Sequence, residues 1–255
     1  TQITHVGVLG AGTMGHGIAH VCATAGFQVV LYDVTLAQAQ GGLEKIRRNL
    51  EIGVEKKKVT PADRDEALKR ISLTAVLGDV GPCQLVIEAV PEKMELKQKI
   101  FKELSSICAP EALLASNTSS LSLTEIAAAA INPQRVVGMH FFNPVHRMPL
   151  VEIIRGRGTS DATVATVFAL AKAMGKVPVS CQDGPGFLVN RLLMPYMNEA
   201  AYLLLEGVPI EAVDRAMVAF GMPMGPVRLM DEVGLDVAYH VGTFMESKFP
   251  ERMKG

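Results

Sequence analysis

The chain begins with an apolar run, residues 3–9, that leads directly into the glycine pattern G-x-G-x-x-G formed by Gly10, Gly12 and Gly15. An uninterrupted apolar run of this length is typical of a strand buried on both faces of a sheet. Residues 13–25 then carry apolar side chains at helical spacing. A strand, a glycine turn and a helix in this order predict the start of a parallel sheet with helices packed on its faces.

The alternation of strand-like and helical segments continues to residue 182. Further strands are predicted at residues 27–32, 71–74, 85–90, 113–116, 136–141, 150–154 and 177–181. The sequence beyond them is typical of helices. Residues 188–205 are apolar nearly all round, which predicts burial inside a helical domain or against another subunit. We therefore predict an α/β fold, with a Rossmann-like, mostly parallel sheet domain at 1–182 and a smaller all-helical domain at 183–255.

Composition excludes several classes of function. The 255 residues carry a net charge of −1 and no apolar run of the ~18–20 residues that a membrane span needs. We therefore expect neither a nucleic-acid partner nor a membrane partner. The four cysteines, Cys22, Cys83, Cys108 and Cys181, have no C-x-x-C spacing, so no metal site is predicted. Separated thiols of this kind suit a reducing compartment, and we expect a cytoplasmic protein.

The glycine pattern points to a dinucleotide because of its position between a strand and a helix. Gly10 suits a tight turn, Gly12 lets the backbone approach a pyrophosphate, and Gly15 lets the helix pack closely on the sheet. Thr13 and Met14 occupy the intervening positions at the helix start, where free N–H groups attract phosphates. The alternative is a structural glycine turn without a ligand.

Asp33 identifies the preferred dinucleotide. It follows the second predicted strand, where a carboxylate holds the adenosine ribose hydroxyls. A 2′-phosphate at this place would meet a like charge, so the sequence predicts NAD rather than NADP as the cofactor.

His140 and Glu152 are polar residues within two apolar strands. A lone carboxylate in an apolar run is costly without a partner, and a neutral histidine needs one nitrogen fixed by an acceptor. We therefore predict that the two side chains are partners and that His140 is a general base. The alternative for His140 is a satisfied core histidine. His146 lies in the following loop and is interpreted as a solvated residue.

Other polar residues follow the predicted strands at the same edge of the sheet. Asn117 to Ser120 come after one strand, and Asn143 comes soon after His140. Ligands bind at this edge in open parallel sheets. Asn190, predicted to lie one turn into the first helix of the second domain, is a further candidate for a substrate oxygen, although its spacing equally fits a helix-surface amide.

Four stretches of the chain together resemble one enzyme family. They are GAGTMGHGIA, ASNTSSLSL, GMHFFNPVHRMPLVEII and DGPGFLVNRLL, in this order, and the similarity runs over nearly the whole chain. This combination resembles the L-3-hydroxyacyl-CoA dehydrogenase family, both the dehydrogenase part of bacterial fatty-acid oxidation multienzymes and the stand-alone 3-hydroxybutyryl-CoA dehydrogenases. The resemblance implies NAD-dependent oxidation of an (S)-3-hydroxyacyl-CoA to the 3-oxoacyl-CoA.

The resemblance also implies roles for individual residues. His140 is the base and Glu152 its partner, while Ser119 and Asn190 contact substrate oxygens. The implied cofactor contacts are the glycine loop (Gly10, Gly12, Thr13, Met14, Gly15), Asp33, Glu92, Lys97, Ser119 and Asn143. From sequence alone, Glu92 and Lys97 would be an exposed charge pair at a helix start.

The acyl-CoA substrate requires a site for its phosphates. The densest basic stretch of the first domain is Arg47-Arg48 followed by Lys56-Lys57-Lys58. Similarity suggests that a lysine here meets these phosphates, with Lys56 and Lys57 as candidates. The alternative is a solvated helix end.

Family members usually continue into a further helical segment with part of the dimer contact, so the resemblance implies an incomplete helical domain. It implies either a homodimer formed through that domain or a place within a larger multifunctional chain. Two other interpretations stay open: a catalytically idle dinucleotide-binding protein with a structural or sensing role, and a dehydrogenase of free β-hydroxyacids, which typically uses a lysine base.

Overall fold

The computed structural model describes residues 2–252, and its first part is an eight-stranded sheet. Across the sheet the strands lie in the order β3-β2-β1-β4-β5-β6-β7-β8. The order reverses between β1 and β4, and ligands of such sheets bind beyond the carboxyl ends of the strands at this point. The strands are β1 His5–Leu9, β2 Gln28–Tyr32, β3 Ile71–Thr74, β4 Leu85–Glu88, β5 Leu113–Ser116, β6 Val136–Phe141, β7 Leu150–Arg155 and β8 Val177–Gln182.

Helices connect most of the strands and make up the rest of the chain. Hydroxyl side chains cap several of them: Thr35 and Ser160, for example, accept backbone N–H groups at the starts of α2 and α6. The helices are α1 Gly15–Thr24, α2 Leu36–Glu55, α3 Pro61–Lys69, α4 Met94–Ile107, α5 Leu123–Ala127, α6 Asp161–Ala173, α7 Val189–Leu205, α8 Ile210–Phe220, α9 Pro226–Val233 and α10 Leu235–Lys248, with short 3-10 helices at Leu77–Val80 and Pro133–Arg135.

The sheet is parallel except for one pair of neighbouring strands. Strands β6 and β7 pair antiparallel, with His140 directly opposite Glu152. The connection between them, residues 142–149, is shorter than the dozen or so residues that a parallel crossover needs. The predicted fold class, a mostly parallel Rossmann-like sheet followed by a helical domain, is confirmed.

The sheet interior is apolar because helices cover both faces. Val6, Val8 and Leu9 of β1 are inaccessible to solvent, as are Leu85 and Ile87 of β4. These residues belong to uninterrupted apolar runs in the sequence because both faces of the sheet are buried. The central strands therefore form a rigid base for the polar residues at their carboxyl ends.

The chain divides into two compact units, the first ending at Asp183 and the second beginning at Gly184. In the second unit, α9 packs against α7, α8 and α10. The Asp214 carboxylate of α8 accepts hydrogen bonds from the Val227 and Arg228 backbone N–H groups, at 2.9 and 3.2 Å. This contact satisfies free donors at the start of α9.

Helix α7 differs from the sequence-based prediction in its exposure. Leu192 and Leu205 are 67% and 82% exposed, whereas Met197 and Ala200 are buried. Burial on several sides within the helical unit is therefore wrong for the described chain, because only one face of the helix packs on its neighbours. Contact with another subunit remains a prediction.

Candidate active site

The glycine loop joins β1 to α1 and has the shape that a pyrophosphate requires. Gly10 has a φ of +91°, a left-handed conformation that favours glycine. A Cβ on Gly15 would lie 1.6 Å from the Gly10 carbonyl oxygen, so the helix approaches the loop more closely than any side chain permits. A Cβ on Gly12 would meet nothing within 4 Å, so space lies open above the loop.

Helix α1 begins at Gly15, two residues later than predicted, because residues 10–14 form the turn. Its start has no side-chain cap, and Thr13 is exposed while Met14 is half-buried. The His16 N–H donates to the Gly12 carbonyl oxygen at 3.2 Å, whereas no side-chain cap bars an anion from the helix start. These features fit the phosphates of a dinucleotide.

Asp33 follows β2 directly and holds the glycine loop. One carboxylate oxygen accepts the Ala11 backbone N–H at 2.7 Å, and the other accepts the Val34 N–H at 2.7 Å. A carboxylate has about four lone-pair sites, so Asp33 keeps acceptors for ribose hydroxyls. Its position fits the predicted contact with the adenosine half of NAD.

His140 and Glu152 form a buried pair across the antiparallel strands β6 and β7. His140 Nδ1 lies 2.7 Å from Glu152 Oε2, and the carboxylate is inaccessible to solvent. The two residues are opposite in register, so the backbone itself brings them together. The ring of His140 also packs against Phe142, with centroids 4.5 Å apart.

The loop after β5 is fixed to β6 beside His140. Asn117 Oδ1 accepts the Phe141 backbone N–H at 2.9 Å. Asn143 is exposed and precedes a cis bond to Pro144. Asn117, Asn143 and His140 therefore lie at the same carboxyl edge of the sheet as the glycine loop.

Glu92 organises the loop that carries Ser119. Its Oε1 accepts hydrogen bonds from the Thr118 hydroxyl at 2.5 Å and from the Ser119 and Ser120 backbone N–H groups at 2.8 and 3.2 Å. Burial raises the pKa of Glu92, but the Lys97 ammonium and these donors outweigh burial and hold the pKa below its ordinary value. Glu92 is therefore an ionised acceptor in the structure.

Glu92 and Lys97 are not the exposed charge pair that the sequence alone suggests. The Lys97 side chain is 1% exposed, and its Nζ lies 3.2 Å from Glu92 Oε2 and 2.6 Å from Oε1 of Glu88. Glu88, which is not among the predicted site residues, is inaccessible to solvent. The cause is tertiary: α4 presents Lys97 to the carboxyl end of β4, where Glu88 is the last residue.

His146 also departs from its interpretation as a solvated residue. Its ring stacks on that of buried His20 in α1, with centroids 5.4 Å apart. The neighbouring Val145 packs against Gly17, so the 142–149 loop lies on α1. Lys176 completes this contact, because its Nζ donates to the carbonyl oxygens of Val145 and Met148.

Burial lowers the pKa of His20 to about 4, assisted by the charges of His146, His16 and Lys176. Burial likewise lowers the pKa of His146, with smaller contributions from Arg147, His16 and Lys176. Both rings are therefore neutral near pH 7, and their stacking carries no charge repulsion there.

The remaining predicted residues are the basic segment after α2 and Asn190 of α7. Lys56, Lys57 and Lys58 are exposed just after α2, with Lys57 at a φ of +55°. Asn190 is the second residue of α7, because the helix begins only at Val189. It therefore lies in the first turn of the helix, whereas the predicted position is one turn into it.

Within residues 2–252, no group of three or more His, Cys, Asp or Glu side chains is arranged to hold a metal ion. None of the helices in that range is long and apolar enough to cross a membrane.

Comparison with known families matches both units. The model of the 3-hydroxyacyl-CoA dehydrogenase NAD-binding domain matches residues 5–184, and that of the C-terminal domain matches residues 186–255. The chain belongs to the 3-hydroxyacyl-CoA dehydrogenase family. The resemblance seen in the sequence, the NAD cofactor and the assignment to a family of NAD-dependent dehydrogenases are thereby confirmed.

Curated relatives in this family are longer proteins. The chain is 47% identical over 253 residues to the fatty acid oxidation complex subunit alpha of Psychrobacter sp. (strain PRwf-1), covering 99% of this chain and 35% of the relative. The corresponding protein of Pseudomonas entomophila (strain L48) is 46% identical over the same length and coverage. The chain thus spans about a third of the length of these relatives.

Solved structures of the family share the fold. The (S)-3-hydroxybutyryl-CoA dehydrogenase of Ralstonia eutropha matches with a TM-score of 0.94 and 43% identity, over 98% of this chain and 89% of that chain. The 3-hydroxybutyryl-CoA dehydrogenase of Escherichia coli K12 matches with a TM-score of 0.93 and 40% identity, over 98% and 53%.

Proposed function

We propose that this chain oxidises an (S)-3-hydroxyacyl-CoA to the 3-oxoacyl-CoA, with His140 as the base. The observation that carries the proposal is the buried 2.7 Å contact between His140 and Glu152, at the same sheet edge as the glycine loop. A histidine held by a carboxylate suits removal of a proton from an alcohol near neutral pH. Relatives named (S)-3-hydroxybutyryl-CoA dehydrogenase support the choice of substrate class.

The proton step follows from the geometry of the pair. An ionised carboxylate only accepts hydrogen bonds, so Nδ1 of His140 donates to Glu152 and the hydroxyl proton moves to Nε2. Glu152 then stabilises the imidazolium that forms. NAD, when bound, supplies the acceptor for the hydride from the carbinol carbon. His140 thus takes up the hydroxyl proton, and bound NAD would take up the hydride.

The contacts around this centre divide between the two ligands. The glycine loop and Asp33 hold the adenosine and pyrophosphate of NAD, and Glu92, Lys97, Ser119 and Asn143 serve its other half. Ser119 and Asn190 hold the oxygen at the reacting carbon of the substrate. The position of Ser119 in a loop fixed by Glu92 at 2.8 Å supports its assignment.

The CoA phosphates are assigned to the basic segment after α2. Lys56 and Lys57 are exposed there and have no acidic partner among the ion pairs of the described residues. Exposed ammonium groups of this kind attract phosphates over roughly a Debye length.

The partner and the compartment of the chain are proposed from its exposed apolar side chains, the length of its relatives and its cysteines. Exposed Leu205, Phe220 and Tyr239 of the helical unit support pairing with a second copy. The greater length of the curated relatives supports a place within a multifunctional chain instead. Cys22, Cys83 and Cys108 are free thiols, and they support a cytoplasmic location.

Turnover with matched substrates tests the proposal. NADH formation is measured with (S)-3-hydroxyacyl-CoA substrates of four, eight and sixteen carbons and with the free four-carbon acid. The CoA thioesters should react and the free acid should be far slower. Preference for the free acid would indicate a β-hydroxyacid dehydrogenase, and NAD binding without any turnover would indicate an idle dinucleotide-binding protein.

A further inference from the structure

The ammonium of Lys97 has all of its hydrogen-bond donors engaged inside the protein. Nζ lies 2.6 Å from Glu88 Oε1, 3.2 Å from Glu92 Oε2 and 3.4 Å from the Val90 carbonyl oxygen. A lysine ammonium has three N–H donors. These three oxygen atoms therefore fix the position of the Lys97 ammonium within the protein.

Glu88 fixes Lys97 in this position. Its Oε1 also accepts the Val90 backbone N–H at 2.8 Å, and its Oε2 accepts the Ser116 hydroxyl at 2.7 Å. Neither Glu88 nor Lys97 is more than 1% exposed. Two opposite charges buried this deeply depend on each other, because either alone would be left uncompensated.

Glu92 connects this pair to the candidate active site. One of its oxygens faces Lys97, and the other accepts the hydroxyl of Thr118 and the backbone N–H groups of Ser119 and Ser120. Without the Lys97 ammonium, Glu88 and Glu92 would be two carboxylates without a cation between them. One of the two would then take up a proton or move away, and the Ser119 loop would lose its acceptor.

We propose that Glu88 and Lys97 are positioning residues that hold Ser119 through Glu92. Lys97 then holds the Ser119 loop in addition to its proposed place at the cofactor, and Glu88, the last residue of β4, belongs to the functional machinery. The inference rests on the proposed function for the part that Ser119 takes at the cofactor and substrate.

Three variants test the relay: Lys97→Met, Glu88→Gln and the double variant. The affinities for NAD and for ADP are measured by calorimetry, and kcat and KM are measured with (S)-3-hydroxybutyryl-CoA. ADP lacks the nicotinamide and its ribose, so its binding depends on the glycine loop and Asp33. Retained ADP affinity therefore shows that a variant is folded. Lys69→Met, which removes an exposed ammonium paired with Glu66, is the control and should change nothing.

Lys97→Met should weaken NAD binding at least about fivefold, the range expected for coupled groups, and should leave ADP binding within about twofold. The double variant should be less impaired than Lys97→Met, because the uncompensated Glu88 charge is gone.

Equal defects in Lys97→Met and in the double variant would overturn the relay and indicate a direct contact between Lys97 and the cofactor. Ser119→Ala separates this failure from failure of the proposed function. If Ser119→Ala changes neither NAD affinity nor the KM of the acyl-CoA, the proposed place of Ser119 is wrong, and the inference is overturned with it.

Discussion

The two halves of the carboxyl edge of the sheet are built from different parts of the chain. On the β1–β2 side, the glycine loop offers backbone N–H groups and open space, and Asp33 adds one carboxylate. On the β4–β7 side, side chains dominate, and Glu152 and Glu88 are both inaccessible to solvent. The first half is suited to holding a ligand, and the second is suited to proton chemistry in a site shielded from water.

Because of this difference, substitutions in one half should change ligand affinity, and substitutions in the other half should change the rate of the reaction. A backbone site holds its ligand equally before and during reaction, so its loss raises KM or Kd. A buried histidine–carboxylate pair acts when charge develops, so its loss lowers kcat. Substitutions in the two halves should therefore change different kinetic constants, and each prediction below tests that separation.

The largest effect should come from His140→Gln. Removal of a general base lowers kcat by roughly 10²–10⁴. NAD affinity should remain nearly unchanged, because the glycine loop is intact. Glu152→Gln should be milder, since the imidazole stays in place. Steady-state kinetics with a 3-hydroxyacyl-CoA and calorimetry with NAD measure the two effects.

His146→Gln is the matched control for His140→Gln, because it removes an imidazole from the connection that follows β6. It should have little effect on kcat. A larger loss in His146→Gln than in His140→Gln would show that the catalytic histidine has been assigned wrongly.

Asp33→Ser should produce the opposite kinetic pattern. The substitution removes a charged acceptor of the Ala11 N–H and the proposed ribose contact, each a charge-assisted bond of about 1.5–3 kcal/mol. NAD affinity should fall roughly 10–100-fold, while kcat at saturating NAD changes little. Discrimination against NADP should relax as well. Equal efficiency of the unsubstituted chain with NAD and NADP would contradict the assigned role of Asp33.

Acid should weaken the contact that joins the two halves. His20 has a folded-state pKa of about 4, below the ordinary 6.5, so protonation favours the unfolded chain. Its contribution to stability is complete above pH 6.5 and is lost as pH falls toward 4. At pH 5 the loss should be about 2 kcal/mol, and denaturant unfolding at pH 7 and pH 5 measures it.

His20→Gln removes this titration and should reduce the drop in unfolding free energy between pH 7 and pH 5. His240→Gln, at an exposed position of α10, should leave the drop unchanged. An identical acid dependence in the unsubstituted chain and in His20→Gln would show that protonation of His20 does not cause the loss of stability.

The smallest effect should come from the exposed lysines outside both halves. Single substitutions of Lys56, Lys57 or Lys58 should raise the KM of the acyl-CoA no more than about fivefold, because exposed ion pairs contribute only ~0.2–1 kcal/mol. Changing all three to Glu should raise it further, and added salt should reduce the effect by screening.

A 3-hydroxyacyl-pantetheine lacks the CoA phosphates and should be handled equally by the triple variant and the unsubstituted chain. An unchanged ratio of kcat/KM for CoA and pantetheine substrates in the triple variant would place the phosphate site elsewhere.

The two halves also differ in how far the sequence predicts them. The glycine pattern and Asp33 follow local spacing along one strand–turn–helix unit, and the structure has them in that arrangement. His140 and Glu152 were paired by chemistry, since a carboxylate in an apolar strand needs a partner, and the antiparallel register of β6 and β7 brings them together.

The same signal was present for Glu88, in the apolar stretch LVIEAV, but its partner Lys97 lies on an amphipathic helix typical of an exposed surface. The packing of α4 against the sheet, and not its sequence pattern, decides which of its lysines is buried. The stacking of His20 on His146 joins segments far apart in the chain, and no local pattern predicts such a contact. The exposed apolar side of α7 is a further example. Apolar composition predicts that the helix is buried, but it does not identify the surface that covers it.

The central claim is that this chain uses NAD to oxidise the hydroxyl group of an (S)-3-hydroxyacyl-CoA. The most direct test mixes the chain with NAD and either (S)- or (R)-3-hydroxybutyryl-CoA and follows NADH and acetoacetyl-CoA together. We predict equal amounts of both products from the (S) substrate and negligible formation from the (R) substrate. Binding of NAD without NADH formation from either substrate would contradict the claim.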